Sequence, residues 1–254
     1  MSCAGLFAQR DWLDNEKHLL LKRGMLTLLH HPFCPHSRFI RLALAEYGEA
    51  AELTEERPWE RRKEFLALNP AGTTPVLVDE GGLAVPGALI IAEFLDETRG
   101  ARLGERRLLP EDRLNRIEVR RLASWFTDKF SDEVSGLLVT ERIFKRIMPT
   151  AEGGGPPDSD AMRAARNNIR YHLSYIDWLL RTRTWLAGEE LSYADLAAAA
   201  HLSVVDYLGD VPWKAENTAK QWYARIKSRP SFRPLLGETV KGVAPSPTYA
   251  NLDF

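Results

Sequence analysis

Apolar positions along the chain change their period several times, and each change marks an element. Leu26-Thr27-Leu28-Leu29-His30 is a continuous apolar run of strand length. His31-Pro32-Phe33-Cys34-Pro35-His36-Ser37 then reads as a loop opening a helix, with Pro35 suited to the first turn, where its missing N–H costs nothing. Over Arg38 to Tyr47 the apolar residues Phe39, Ile40, Leu42, Ala43, Leu44 and Tyr47 recur at helical spacing, and Gly48 supplies a C-terminal cap. Ala51 to Arg57 is a second strand and Pro75 to Asp79 a third. Glu80-Gly81-Gly82 forms a hairpin turn into a fourth strand, Leu83 to Val85, and a helix from Gly87 to Thr98 closes the unit.

Beyond this point the period is helical throughout. Ala101 to Leu109 is a charged linker, and Pro110-Glu111-Asp112 starts a long helix whose packing face contains Ile117, Leu122, Trp125 and Phe126. Met148 to Asp160, with three consecutive glycines and two prolines, is a flexible loop. Ile169 to Trp185 forms an amphipathic helix with Trp178 in the core, where Trp213, Trp222 and Tyr223 join it. In Gly188-Glu189-Glu190-Leu191-Ser192-Tyr193-Ala194-Asp195, Ser192 stands as N-cap and Asp195 at N3. This is a capping box flanked by the staple residues Leu191 and Leu196, and its helix continues to about Leu208. No internal repeat is present.

At 254 residues and 44% hydrophobic content the chain can bury a sizeable core in one or two domains. A net charge of -1 gives no electrostatic reason to expect nucleic acid or a membrane surface as partner. No apolar run is long enough to span a bilayer. Two cysteines, Cys3 and Cys34, make no disulfide framework, which fits a reducing compartment. Asp11, Asp14, Glu16 and Lys17 interrupt the first apolar residues, so no secretory signal is read there and a cytoplasmic location is expected.

The order of strands and helices, with Asn69-Pro70-Ala71-Gly72 before Pro75, resembles the thioredoxin-like domain of glutathione transferases, and the pattern at residues 188–195 is similar to the capping motif of their helical domain. The resemblance spans roughly Met25 to Leu236. It implies an α/β domain at 25–100, a linker at 101–109 and an all-helical domain at 110–236, with a tail at 237–254 and an extension at 1–24 read as a flexible tail or a mis-assigned start. It also implies a cis bond before Pro75 that aims the backbone of Thr74 at a ligand.

In that family an acidic residue or Gln followed by Ser opens the helix after the hairpin and holds the glutamyl end of glutathione. Gly87 and Ala88 stand there instead, and Thr73 replaces a frequent Lys. Each lost charge-assisted contact weakens binding by roughly 1.5 to 3 kcal/mol, more than tenfold. A weakened or abolished glutathione site is therefore expected, with no cofactor. Against this stands Cys34. Cys34-Pro35-His36-Ser37 resembles the Cys-Pro-x-Ser site of monothiol redox proteins, and a helix N-terminus lowers a thiol pKa. Ser37 offers no resolving thiol, so the chemistry open to Cys34 is a mixed disulfide with glutathione. The other reading, an inert buried cysteine, is equally open. His30, His31, Cys34 and His36 suggest no metal site, because adjacent strand residues face opposite ways.

Two further segments lie outside what a transferase needs. Glu56-Arg57-Pro58-Trp59-Glu60-Arg61-Arg62 embeds Trp59 in charge, either as an exposed anchor or packed under its own helix. The terminus Pro247-Thr248-Tyr249-Ala250-Asn251-Leu252-Asp253-Phe254 reads either as a docking motif or as a strap folded back on the helical domain. Together with the helix ending Glu93-Phe94-Leu95-Asp96-Glu97-Thr98, these segments resemble the FtsZ-localised branch of bacterial glutathione-transferase-like proteins. The resemblance implies a non-catalytic homodimer that binds FtsZ filaments at the division site and regulates constriction. Its contact candidates are Trp59, Tyr249, Asn251, Leu252, Asp253 and Phe254, with Asn251 standing where the branch often has Asp. The competing expectation is a glutathione-dependent transferase or thiol transferase working through Cys34.

Overall fold

The computed structural model describes residues 24–213 and 218–252. The extension at 1–23 and the contact candidates Asp253 and Phe254 lie outside the described residues. Strand β1 (Leu26–His30) runs parallel to β2 (Ala51–Glu55) and antiparallel to β3 (Val76–Val78), which pairs with β4 (Ala84–Pro86). The sheet order is β2-β1-β3-β4. Because side chains alternate across a strand, Leu26, Leu28, Leu77 and Val85 enter one core with helices α1 (Pro35–Glu46) and α3 (Ala88–Arg99). Leu29, Val76 and Val78 face the other way and cover Phe65 of α2 (Lys63–Leu68).

The helical domain begins at Asp112, whose carboxylate accepts the Asn115 N–H at the start of α4 (Arg113–Ser124). The helix continues through a π-helical stretch, Trp125–Ser135, and further turns to Ile147. Helix α5 (Ser159–Leu179) is capped by Asp158 and starts ten residues before the apolar period does, because its first turns carry Arg, Asn and Asp on the solvent side. Helix α6 (Tyr193–Tyr207) is buried along its whole length and is the axis of the domain. The carboxylate of Asp195 accepts from the N–H and Oγ of Ser192, from the Leu186 N–H and from Trp222 Nε1 at 2.8 to 3.0 Å, so the capping residue ties three segments together. Helices α7 (Thr218–Lys227) and α8 (Arg233–Leu236) follow, and residues 237–249 return across α6 as a strap.

The two domains share one core. Tyr47 and Tyr193 meet hydroxyl to hydroxyl at 2.7 Å, and Tyr193 also donates to the Ala92 carbonyl. Two expected core residues are exposed instead: Ile117 is 52% and Trp178 56% accessible. Trp178 stacks on Tyr175 at the edge of α5, where helical spacing alone could not separate the core stripe from its flank. Trp222 and Tyr223 are buried as expected, and Trp213 stacks on Tyr223. Among the described residues no helix is long and apolar enough to cross a membrane.

Candidate functional site

Cys34 is the N-cap of α1, with Pro35 in the first turn, so its sulfur sits where unpaired backbone N–H groups concentrate positive potential. Its Sγ lies 3.6 Å from the carbonyl of Thr74, to which the thiol donates. The Thr74–Pro75 bond is cis. The N–H of Gly87 donates to the Pro75 carbonyl at 3.0 Å, and Gly87, at φ 89, turns the chain into α3 with Ala88 as its first residue. Cys34, Thr74, Pro75, Gly87 and Ala88 are therefore brought to one place. Thr73 lies beside them, held through its carbonyl and Oγ1 by the Asn69 side-chain amide. Gly87 and Ala88 present no polar side chain, and Ala88 is itself buried.

Cys34 is 9% exposed. Burial pushes its thiol up, but the hydrogen bond and charge of His36, helped by Ser37 and Thr74, bring it down to about 7. His36 is the reciprocal case. Burial opposes its protonation, and Cys34, the Thr127 carbonyl and Asp128 raise its pKa. Since a carbonyl only accepts, the 2.8 Å contact from His36 Nε2 to the Thr127 carbonyl places a proton on Nε2. His36 thus links the α1 N-terminus to the helical domain, a role the sequence motif does not announce. The neighbouring histidines are held neutral. His30 falls to about 3 through burial and Arg41, and His31 to about 4 through burial, Arg57 and Arg38. His31 Nδ1 accepts the Phe33 N–H, and among the described residues no three His, Cys, Asp or Glu side chains group to hold a metal ion.

Trp59 is neither free nor buried. It is half-buried, 5.6 Å from the His31 ring and 5.3 Å from that of Phe144, so it closes the thioredoxin-like domain against the helical one. Beneath it Glu56, buried, forms a bidentate pair with Arg62. The tail is divided. Tyr249, expected as a partner contact, is completely buried. Its hydroxyl donates to the Leu235 carbonyl and accepts from Arg38, and its ring packs on Tyr207. An aromatic ring with a satisfied hydroxyl is worth more inside than displayed, which makes Tyr249 an anchor of the strap. Asn251 and Leu252 stay at the surface. No sequence signal separates Arg38 from any other helical arginine. Arg38 is fully buried and binds Pro32, Ser203, Tyr249 and Glu238.

Residues 33–98 match the family described as glutathione S-transferase, N-terminal domain, and residues 126–230 match glutathione S-transferase, C-terminal domain. A protein of Caulobacter vibrioides named FtsZ-localized protein A is 46% identical over 90% of this chain and 98% of its own. A crystal structure of a glutathione S-transferase from Sinorhizobium meliloti 1021 is 57% identical, with a TM-score of 0.88 over 91% of this chain and all of that one. A structure of FzlA from C. crescentus is 46% identical, with a TM-score of 0.82 over the same shares.

Proposed function

The chain belongs to the glutathione S-transferase family in both of its domains, and from that premise we propose that it is a non-catalytic member that binds FtsZ filaments and regulates cell division and constriction. The observation that carries this reading is the near full-length similarity to a protein named for its localisation with FtsZ. The site chemistry agrees with it. The family's fold is kept, while Gly87 and Ala88 leave the glutamyl end of glutathione without its charged and hydroxyl partners. Backbone N–H groups at the start of α3 still favour a carboxylate, but without the charge-assisted contacts the loss exceeds tenfold.

Trp59 and the end of the tail are the surfaces assigned to the filament. Trp59 offers one edge of an aromatic ring fixed by His31 and Phe144, and a rigid half-exposed Trp is suited to a binding hot spot. From Tyr249 onward Asn251 and Leu252 face outward, with Asp253 and Phe254 completing the segment in sequence.

A homodimer accompanies the reading. Leu114, Ile117 and Arg121 recur at three- and four-residue spacing on α4. Arg121 hydrogen-bonds Tyr175, which stacks on Trp178, and the exposed Leu114, Ile117, Tyr171 and Trp178 mark an apolar face that a second copy would cover. Co-sedimentation with GTP-assembled FtsZ tests the function, and failure to pellet with filaments would remove it. The second reading, a thiol transferase, is favoured by the lowered pKa of Cys34. Turnover of glutathione that is lost in Cys34→Ser would establish that one instead.

A further inference from the structure

Residues 237–249 are tied to α6 and α7 by a chain of polar contacts. The Val240 N–H donates to Tyr207 Oη, which donates onward to the Val243 carbonyl. The Ser246 N–H and Oγ donate to the carbonyls of Tyr207 and Asp206. Thr248 donates to the Asp206 carboxylate and accepts from the buried Lys227 ammonium. These contacts seat Tyr249 at the bottom of a cluster that runs on without a gap. Tyr249 meets Tyr207 edge to face at 5.1 Å, Tyr207 meets Phe33 at 4.7 Å, and Arg38 lies 4.5 Å over the Phe33 ring while binding Tyr249 Oη and the Pro32 carbonyl. Glu238, at the start of the strap, pairs with both Arg38 and Arg41. Phe33 is the residue before Cys34, and the Cys34 N–H closes the same loop on the His31 carbonyl.

We infer that the strap is a clamp on the loop bearing Cys34, so that seating of Tyr249 and closure of residues 31–34 are thermodynamically linked. Arg38 is the shared element, since one guanidinium fixes the loop carbonyl, α6 through Ser203, and the strap through Tyr249 and Glu238. Unseating Tyr249 takes a partner from Arg38 and a neighbour from Tyr207, and the loop then opens more often. Linkage is reciprocal, so a bulky group on Cys34 loosens the strap by the same factor. Ala250, Asn251 and Leu252 project beyond the anchor, which gives anything that grips the end of the chain a handle on the loop. The linkage is measured on the protein alone and stands or falls apart from the filament reading.

The experiment uses the full chain with Cys3→Ser, which leaves Cys34 as its one thiol. The rate of alkylation by excess iodoacetamide is measured at a pH above the titration of the thiol. Tyr249→Phe keeps the ring and removes two hydrogen bonds, and it should speed labelling roughly tenfold. Tyr249→Ala should speed it further, and a chain ending after Tyr249 should label at the parent rate. In the converse direction, alkylated protein should exchange its Val240, Ser246 and Tyr249 amide protons faster than unmodified protein. Labelling of Tyr249→Phe within twofold of the parent would overturn the linkage. So would an acceleration matched by Ile176→Val, a remote core variant, at equal melting temperature, because opening would then be global.

Discussion

His36→Gln removes the imidazole that holds the Cys34 thiol down while keeping an amide N–H at the position of Nε2 for the Thr127 carbonyl. Burial raises the thiol, and His36 is the largest influence opposing it, with Ser37 and Thr74 adding to the net fall from 9.0 to about 7. With burial still acting and His36 gone, a return to the ordinary 9.0 sets the scale of the expected change. At pH 7 the thiolate fraction then falls from about one half to about one in a hundred, roughly fiftyfold. A more basic thiolate is a better nucleophile, with a Brønsted slope of about 0.4–0.5, which restores about eightfold. The net prediction is alkylation roughly sixfold slower at pH 7 and about eightfold faster above pH 10, with the two profiles crossing between. The assay is the iodoacetamide rate against pH in the Cys3→Ser background. A parent profile with its midpoint near 9, or a variant profile still centred near 7, would refute the pairing.

The same pair makes stability depend on pH. The folded thiol pKa lies below the unfolded one, so this stabilisation is present above pH 9.0 and is lost as pH falls through about 7. The span corresponds to at most roughly 3 kcal/mol, and the part of the His36 rise that comes from Cys34 is the same interaction seen from its other partner, to which Thr127 and Asp128 add their own.

Three further outcomes follow from the geometry. Asp195→Ala leaves four buried donors without an acceptor and should cost roughly 3 to 5 kcal/mol in urea unfolding, whereas a loss below about 1 kcal/mol would mean those donors find other partners. Ile117→Glu places a charge in the apolar face of α4 and should turn a dimer into monomer in sedimentation velocity, and an intact dimer would put the interface elsewhere. Ala88→Ser restores one neutral hydroxyl of the glutathione handle and should tighten glutathione binding by about fivefold in calorimetry. An unmodified chain that already binds as tightly as the variant would show that the handle is not needed.

Much of this was legible in the residues because local signals agreed with one another. The apolar run at 26–30, the hairpin glycines and the capping box at 192–195 each specify an element without tertiary help, and the place of Pro75 among them brings in the site loop. What stayed illegible depends on packing between domains. Trp178 and Ile117 fit a helical apolar stripe yet lie on its exposed flank, and period alone cannot say how wide the buried stripe is. Tyr249 sits in a Pro- and Asn-containing tail whose residues read equally as a docking segment or as a strap on the helical domain. Its burial is decided by Arg38 and Tyr207, more than forty residues away in sequence. His36 was visible as a histidine near a cysteine, but its partner across the domain boundary is a backbone carbonyl that leaves no mark in the sequence.

The central claim is tested most directly by the pelleting isotherm of the intact chain on GTP-assembled FtsZ, measured beside a chain ending after Tyr249, with retention on immobilised glutathione read on the same preparations. The account predicts saturable pelleting of the intact chain, a large loss when only the five residues after the anchor are removed, and no retention on glutathione by either. An intact chain that stays in the supernatant while glutathione retains it would contradict the account and return the function to Cys34.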